Sequence, residues 1–336
     1  MAMATLYVTE QGAQIEKEYL KLVVTKEDET LVSVPAAEVS GVVLMGNIGV
    51  TTPAMAFLLE QGIPLVLLDG HGKLRGRLLG ATPPNLKLRH QQYRCTQDPT
   101  FALAVSRAVV RGKLANCLTL AQRIARERDA VHLETAVVEI KQAMDAVANA
   151  KDLATLRGVE GSGAKVYFAV LRAALQHDLG FAKRARRPPP DPVNALLSLG
   201  YTLLGEALFA ALEIVGLDPY DGFYHADKYG RPALALDLME EFRPLIVDSL
   251  VVNLINREII EQNDFRADPQ AGGGVFLTRA GMKKFLHHWN ARINTLVTHP
   301  FYQQRWTYFR CFEAQARVLR QVVEGELPGY IPFHMR

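Results

Sequence analysis

The chain has 336 residues, of which 49% are hydrophobic and 22% are charged, and its formal net charge is +3. We expect a globular protein with no membrane association, because no apolar run reaches the ~18 residues of a membrane span and the first residues lack the pattern of a signal peptide. The three cysteines are far apart and form no CxxC pair, which favours reduced thiols and a cytoplasmic protein.

The first eighty residues have the pattern of a β-rich domain. Segments rich in β-branched residues and bounded by Gly, Pro or polar turns predict strands at 5–9, 13–25, 30–35 and 39–46. A short helix is predicted at 51–62, where Thr51 or Thr52 can cap it, and a hairpin at 63–80 with its turn at 69–72.

The return strand of this hairpin carries basic residues at every second position. Because residues two apart share a face of a strand, Lys73, Arg75 and Arg77 are expected to form one basic stripe. Such a stripe suits a phosphate backbone, and a solvated surface explains it equally well.

Beyond Pro83-Pro84 the apolar residues recur at helical spacing. Helices are predicted at 101–128, 133–158, 161–178, 192–214, 234–262, 278–297 and 304–324. Strands followed by helices indicate an α+β fold, with a small N-terminal β-rich domain at 1–85 and a larger all-helical domain at 86–336.

A second basic cluster lies inside the predicted helical domain. The segment 183–191 is expected to be an exposed connector, because a proline run follows its charges. Its side chains could bind phosphates or simply be solvated. The four basic residues are Lys183, Arg184, Arg186 and Arg187.

One acid lies in an unusual setting, because Glu160 is flanked by Gly158 and Gly161 and followed by Gly163. A helix is predicted to begin near Ser162, which would put Glu160 in its first turn. The acid could then only interact with the helix dipole. Alternatively, the three glycines could let a ligand approach the carboxylate closely.

A group of acids follows one histidine in segment 224–244. On the predicted helix, Asp237, Glu240 and Glu241 stand at i, i+3 and i+4 and so lie near one face. Pro244 removes the donor for the Glu240 carbonyl, so the helix is expected to bend there. His225 lies in the preceding loop and could lie beside Glu240. One imidazole with several carboxylates suits Mg2+ or Mn2+, whereas a loop histidine and a solvated helix start are the alternatives.

Three segments, in this order, resemble one family. They are "GVEGSGAKVYF", "RARRPPPDPVNALLSLGYTLL" and "HADKYGRPALALDLMEEFRP". Together they resemble the CRISPR-associated endonuclease/integrase, the first of the two core proteins that acquire new spacers. The resemblance implies a β-rich N-terminal domain, a helical catalytic domain, and metal-dependent joining of spacer DNA into the CRISPR array by phosphodiester strand transfer.

The resemblance also implies the site and the partners. Matched by motif, the metal ligands are Glu160, His225 and Glu240, with Asp237 as a supporting acid of the catalytic site and Mg2+ or Mn2+ as the metal. A serine that caps the helix in many members is Ala233 here. The implied partners are double-stranded and branched DNA, bound with little sequence specificity, a second copy of the chain, and the small second adaptation protein. The domain 1–85, which contains none of these metal-binding residues, is expected to form the homodimer contact.

Two other functions remain open from the sequence. The first is a non-catalytic DNA-binding scaffold of the same complex, with a degenerate metal site. The second is a metal phosphohydrolase of small nucleotides, which would need a nucleotide pocket and would not need exposed basic stripes.

Overall fold

The computed structural model of the protein describes residues 4–80, 85–128, 131–185, 188–225, 229–269 and 272–335. A strand-rich N-terminal part is followed by a mostly helical part, which confirms the predicted α+β class. The helical part also contains two short hairpins that the helical periodicity did not indicate. Pro83-Pro84, the predicted break, lies outside the described residues.

The N-terminal part contains two four-stranded sheets. Its strands are β1 (Ala4–Val8), β2 (Gln14–Glu18), β3 (Lys21–Lys26), β4 (Glu29–Pro35), β5 (Val39–Met45), β6 (Gly49–Val50), β7 (Leu65–Leu68) and β8 (Leu74–Leu78). One sheet has the order β1-β5-β7-β8, with β8 antiparallel to its parallel neighbours. The other has the order β4-β3-β2-β6, so β4 is an edge strand.

Apolar side chains of both sheets and of helix α1 (Thr52–Glu60) form the N-terminal core. Ile15, Leu22, Leu44 and Phe57 are each at most 3% exposed, and each such side chain contributes about 1.5–3 kcal/mol by leaving water. Thr51 caps α1 through its hydroxyl oxygen, which accepts from the backbone N–H of Ala54, as the sequence predicts.

The helical part is built from nine helices within the described residues. They are α2 (Leu86–Gln97), α3 (Pro99–Arg128), α4 (Val131–Ala146), α5 (Leu153–Ala174), α6 (Pro192–Val215), α7 (Ala233–Phe242), α8 (Ser249–Asn256), α9 (Arg279–Ile293) and α10 (Tyr308–Val323). The two hairpins are β9 (Phe265–Asp268) with β10 (Gly274–Leu277), and β11 (Leu296–Thr298) with β12 (Arg305–Thr307).

Helix α6 lies in the middle of the helical core. By length and composition it could cross a membrane, but 67% of its most apolar 18-residue window is buried inside the protein. This burial is typical of a helix in a protein core. Its N-terminus is capped by Asp191, whose carboxylate accepts from the backbone N–H of Asn194 at 2.8 Å.

The N-terminal sheet β1-β5-β7-β8 packs on the helical part, since Val43, Met45, Val66 and Leu68 belong to the same buried apolar cluster as the helices, and polar side chains add to this contact. The guanidinium of Arg77 pairs with Glu206 on α6, with Nε 2.5 Å from Oε2, and lies 3.7 Å from the ring centre of Phe209. The indole of Trp289 donates a hydrogen bond to the hydroxyl of Tyr7 at 2.8 Å. The expectation that Arg77 belongs to an exposed basic stripe is therefore wrong, because its charge is used between the two parts of the fold.

Candidate active site

Helix α5 begins earlier than its glycines suggested. Asp152 caps it by accepting a hydrogen bond from the backbone N–H of Thr155 at 2.7 Å, so Glu160 is the eighth residue of the helix, in its third turn, and not in a first turn near Ser162. Gly163 allows α5 to approach α3, since a Cβ atom there would lie 2.7 Å from Leu114 Cδ2. Of the three glycines, Gly163 is therefore needed for the packing of α5 against α3. A Cβ atom at Gly158 or Gly161 would meet no atom outside α5 within 4 Å.

Asp237 fixes the loop that carries His225. Its buried carboxylate accepts hydrogen bonds from the backbone N–H groups of Phe223, Tyr224 and His225 at 2.7, 2.9 and 3.0 Å. The same carboxylate lies 2.7 Å from His225 Nδ1, which therefore carries the proton. The other ring nitrogen, Nε2, lies 3.7 Å from Glu240 Oε1.

The first turn of α7 is completed by backbone and not by a side-chain cap. The carbonyl of Pro219 accepts from the N–H of Leu234 at 3.0 Å, while Pro232 at the N-cap position offers no side-chain acceptor. Gly222 permits this close approach, since a Cβ atom there would lie 2.7 Å from the backbone of Ala233. The preceding loop thus supplies a hydrogen-bond acceptor at the start of the helix, where other family members have a serine and this chain has Ala233.

Glu240 is a buried, ionised carboxylate, with 2% of its surface exposed. Burial by itself would raise the pKa of Glu240, but Arg243 and Lys113, followed by His225, lower that pKa to about 2. Arg243 Nη1 lies 3.0 Å from Oε1. The two cations Arg243 and Lys113 therefore keep the carboxylate negative at neutral pH.

Lys113 of α3 connects the two candidate carboxylate ligands. Its ammonium donates a hydrogen bond to Glu160 Oε1 and lies 2.6 Å from Glu240 Oε2. Burial by itself would lower the pKa of Lys113, but Glu240 and Glu160 raise it above its ordinary value, so the ammonium is charged. Oε2 of Glu240 is buried and, within the described part of the chain, receives no well-directed hydrogen bond despite this short contact.

The helix that carries Glu240 does not run unbroken to residue 262. It changes at Arg243–Asp248 to a π-helical turn that contains Pro244 and continues as α8. This agrees with the predicted disturbance at the proline. The turn buries Asp248, whose carboxylate accepts from the hydroxyls of Tyr167 and Tyr201 at 2.7 and 2.6 Å.

Glu241 is not among the residues that line the cleft with Glu240. It is fully buried and accepts hydrogen bonds from the Tyr330 hydroxyl and the backbone N–H of Phe333, both at 2.6 Å. Burial raises the pKa of Glu241 to about 8, against the opposing effect of these two donors. Its role is to attach the C-terminal segment behind the site.

The three predicted ligands line one cleft of about 230 Å³. The cleft is lined by Lys113, Glu160, Ala164, Phe168, Arg184, Tyr201, His225, Arg231, Glu240 and Arg243. Four cationic side chains and two carboxylates therefore surround it. Among the described residues, no three His, Cys, Asp or Glu side chains are already arranged to hold a metal ion.

The basic segment near this cleft is less exposed than expected. Its described part is attached to α6 by Asn194, which accepts from the backbone N–H of Ala185 and donates to the carbonyl of Lys183, both at 2.9 Å. Arg184 is half-buried and donates to Asn194 Oδ1 at 2.8 Å, whereas Lys183 is exposed. Arg186 and Arg187 lie outside the described residues.

The other predicted DNA-binding residues lie at the β7–β8 hairpin. Lys73 and Arg75 are exposed, and Arg75 Nη2 lies 3.3 Å from Asp69 Oδ2. Asp69 also closes the hairpin turn, since its carboxylate accepts from the backbone N–H groups of His71 and Lys73. Two of the three residues of the predicted stripe are therefore accessible.

The family model described as "CRISPR associated protein Cas1" matches residues 6–291 of the chain. The chain belongs to the Cas1 family. It is 36% identical over 336 residues to "CRISPR-associated endonuclease Cas1 3" of Thermus thermophilus, which covers 99% of this chain and 98% of that protein. The family suggested by the three sequence segments is thus confirmed.

Solved structures agree with this membership of the Cas1 family. A chain of a Cas6-RT-Cas1--Cas2 complex superposes with a TM-score of 0.84 at 26% identity, covering 98% of this chain and 36% of that chain. A Cas1 protein from Thermotoga maritima superposes with a TM-score of 0.81 at 20% identity, covering 99% of both chains. The second similarity supports the Cas1 fold.

Sequence reasoning missed several residues of the cleft, namely Lys113, Tyr201, Arg231 and Arg243. A signal for Lys113 was available in the sequence. It lies four residues from both Val109 and Cys117, on the same apolar stripe of α3, which is buried. A lysine on such an apolar stripe requires a buried counter-charge. No comparable pattern distinguishes Arg231 or Arg243.

Proposed function

We propose that this Cas1 family member is the DNA endonuclease/integrase of CRISPR adaptation. It joins new spacer DNA into the CRISPR array by phosphodiester strand transfer. The observation that carries the proposal is the meeting of Glu160, His225 and Glu240, from three separate segments, in one cleft with four cationic side chains. Carboxylates with an imidazole are suited to a divalent metal, and the cations are suited to a phosphodiester.

The residues fit a divalent metal, and Mg2+ or Mn2+ is the proposed ion. Glu240 is ionised and has a buried oxygen without a well-directed hydrogen bond. Asp237 bonds His225 through Nδ1, so the lone pair on Nε2 is available to a metal. Glu160 and Glu240 already hold one cation, the ammonium of Lys113, which indicates that they can hold a metal ion. When bound, the metal would stabilise negative charge on the oxygens of the phosphodiester and lower the pKa of an attacking hydroxyl or water.

The protein's own side chains contribute orientation and charge. Asp237 holds the His225 ring in one tautomer, and Arg243 holds Glu240 by an ion pair while its guanidinium stacks 4.8 Å from the Tyr201 ring centre. Arg184 and Arg231 line the same cleft and would contact phosphate oxygens. In integration the nucleophile is the 3′-hydroxyl of the incoming DNA, and in hydrolysis it is water.

Outside the cleft, exposed basic residues would bind the DNA backbone without reading its sequence. Lys183, Lys73 and Arg75 are accessible for this role. Phosphate contacts of this kind give affinity and salt dependence but little sequence preference, which suits double-stranded and branched DNA of any sequence.

The proposed partners are a second copy of the chain and the small second adaptation protein. A spacer has two ends, whereas one chain has a single Glu160–His225–Glu240 cleft, so two copies are needed. The edge strand β4 is available for the homodimer contact, because most of its residues are exposed, including Leu31 and Val32 at 45% and 39%. The similarity to a chain of a Cas6-RT-Cas1--Cas2 complex supports the heteromeric partner.

A strand-transfer assay separates this function from its alternatives. The protein is incubated with Mn2+ and branched DNA, and in parallel with free nucleotides. Strand transfer without nucleotide hydrolysis is expected. Nucleotide hydrolysis alone would favour the small-molecule phosphohydrolase, and DNA binding with neither reaction would favour the non-catalytic scaffold.

A further inference from the structure

Lys113 is a buried charge on a mostly apolar face of α3. Val109, Val110, Leu114 and Cys117 surround it on α3 and are each at most 1% exposed, and Lys113 itself is 8% exposed. Its ammonium contacts a carboxylate of α5 and a carboxylate of α7 at the same time. A lysine remains charged in such surroundings only if carboxylates compensate for its lost hydration.

The ammonium and a divalent metal would require the same two carboxylates. Lys113 Nζ is in contact with Oε1 of Glu160 and Oε2 of Glu240, the two acids that would hold the metal. Two positive charges a few ångströms apart in a buried cleft repel each other strongly. The lysine side chain has four rotatable carbons and borders a cleft of about 230 Å³, so it has room to move aside.

We propose that Lys113 is an internal counter-ion, which holds Glu160 and Glu240 together in the metal-free protein and leaves the space between them when the metal binds. The inference rests on the proposed function, which assigns both acids as ligands. Arg243 remains a partner for Glu240 after the lysine leaves, whereas within the described part of the chain Glu160 has no second cation at ion-pair distance. Lys113 is thus a positioning residue that lowers metal affinity while keeping the acids close.

The first test is calorimetric titration of Mn2+ into the wild-type chain, Lys113→Met and Lys113→Arg. Lys113→Met keeps the length and removes the charge, so its Kd for Mn2+ should fall on the order of tenfold or more. Its Tm should be lower without metal and rise further on adding Mn2+ than that of the wild type. Lys113→Arg, which retains the charge, should bind Mn2+ as weakly as the wild type. Lys141→Met, at an exposed lysine of α4, is the control and should leave the Kd unchanged.

Unchanged or weaker Mn2+ binding by folded Lys113→Met would overturn the proposal. If this variant does not fold, acetylation of the wild-type chain by acetic anhydride provides the second test. Saturating Mn2+ should increase the labelling of Lys113 several-fold, and unchanged labelling would overturn the proposal. Failure of the ligand assignment is distinguishable, because Glu160→Gln and Glu240→Gln would then bind Mn2+ like the wild type.

Discussion

The Nδ1 atom of His225 lies 2.7 Å from Oδ1 of Asp237, and the Asp237 carboxylate also accepts three backbone N–H groups of the loop that ends at His225. One buried acid therefore sets both the course of the loop and the orientation of the ring. The ring nitrogen that remains, Nε2, faces Glu240. We therefore expect Asp237 to contribute to catalysis through His225 and not through contact with the reacting atoms.

Separate substitutions at these two positions should have different effects. Asp237→Ala leaves three backbone donors and the imidazole without their acceptor, so it should reduce the free energy of unfolding by about 1–3 kcal/mol or more and slow strand transfer at least ~10-fold. His225→Ala should abolish strand transfer with a smaller loss of stability, since the His225 side chain is 18% exposed. Urea denaturation and strand-transfer rates measure both. An equal loss of stability in the two variants would contradict this division.

Asp248 should make stability depend on pH. Burial raises the pKa of Asp248 to about 6, against the hydrogen bonds from Tyr201 and Tyr167, so the folded state keeps a proton that the unfolded state has already lost. This contribution to stability is complete below the unfolded pKa of about 4 and is lost as pH rises through about 6.

The comparison with Asp248→Asn isolates this effect from other titrating groups. The asparagine does not titrate, so the stability of the wild type relative to the variant should fall by up to about 3 kcal/mol between pH 4 and 7. Chemical denaturation of both proteins over this range measures it. A constant difference between the two proteins would mean that Asp248 does not carry the proton.

The basic residues of the β7–β8 hairpin should divide into two groups. Lys73→Ala with Arg75→Ala should weaken binding to all DNA sequences about equally and flatten the salt dependence by about one unit per lost phosphate contact. Arg77→Met should leave the salt dependence unchanged and reduce the free energy of unfolding by about 3 kcal/mol, because Glu206 would stay largely buried without its partner. Filter binding at several salt concentrations, together with denaturation, separates the groups. A flatter salt dependence for Arg77→Met would contradict its structural role.

The sequence allowed the fold class to be predicted, because it depends on patterns within segments, such as the cap at Thr51 and the disturbance at Pro244. The resemblance of three segments to the family led us to expect Glu160, His225 and Glu240 in one place, and they do line one cleft, while their role as ligands stays a prediction. The predicted start of α5 near Ser162 was wrong, because the three glycines were taken as a helix boundary. The N-cap residue Asp152 is the stronger local signal for the start of this helix. The position of Arg77 could not be predicted, because its partner Glu206 belongs to an element distant in sequence. The apolar stripe of α3 indicated a buried counter-charge for Lys113, but not that Glu160 and Glu240 would supply it.

The homodimer prediction can be tested at the edge strand of the N-terminal part. Leu31→Glu combined with Val32→Glu places two charges on the exposed strand β4 and should convert a dimer to a monomer at micromolar concentration. Val138→Glu, at a residue of α4 that is 52% exposed, is the matched control and should remain dimeric. Light scattering measures the mass. A dimer that persists in the double variant would place the contact elsewhere.

The central claim is that Glu160, His225 and Glu240 form the site of DNA strand transfer. The most direct measurement is the Mn2+-dependent joining of a 3′-hydroxyl DNA end to a branched target by the wild type, by Glu160→Gln and by Glu139→Gln, whose residue is an exposed acid of α4. We predict that Glu139→Gln joins DNA at the wild-type rate, whereas Glu160→Gln, once shown to be folded, loses at least ~100-fold in rate, as removal of a ligand of the metal that stabilises the reacting oxygens requires. A folded Glu160→Gln protein that joins DNA at the wild-type rate would contradict the claim.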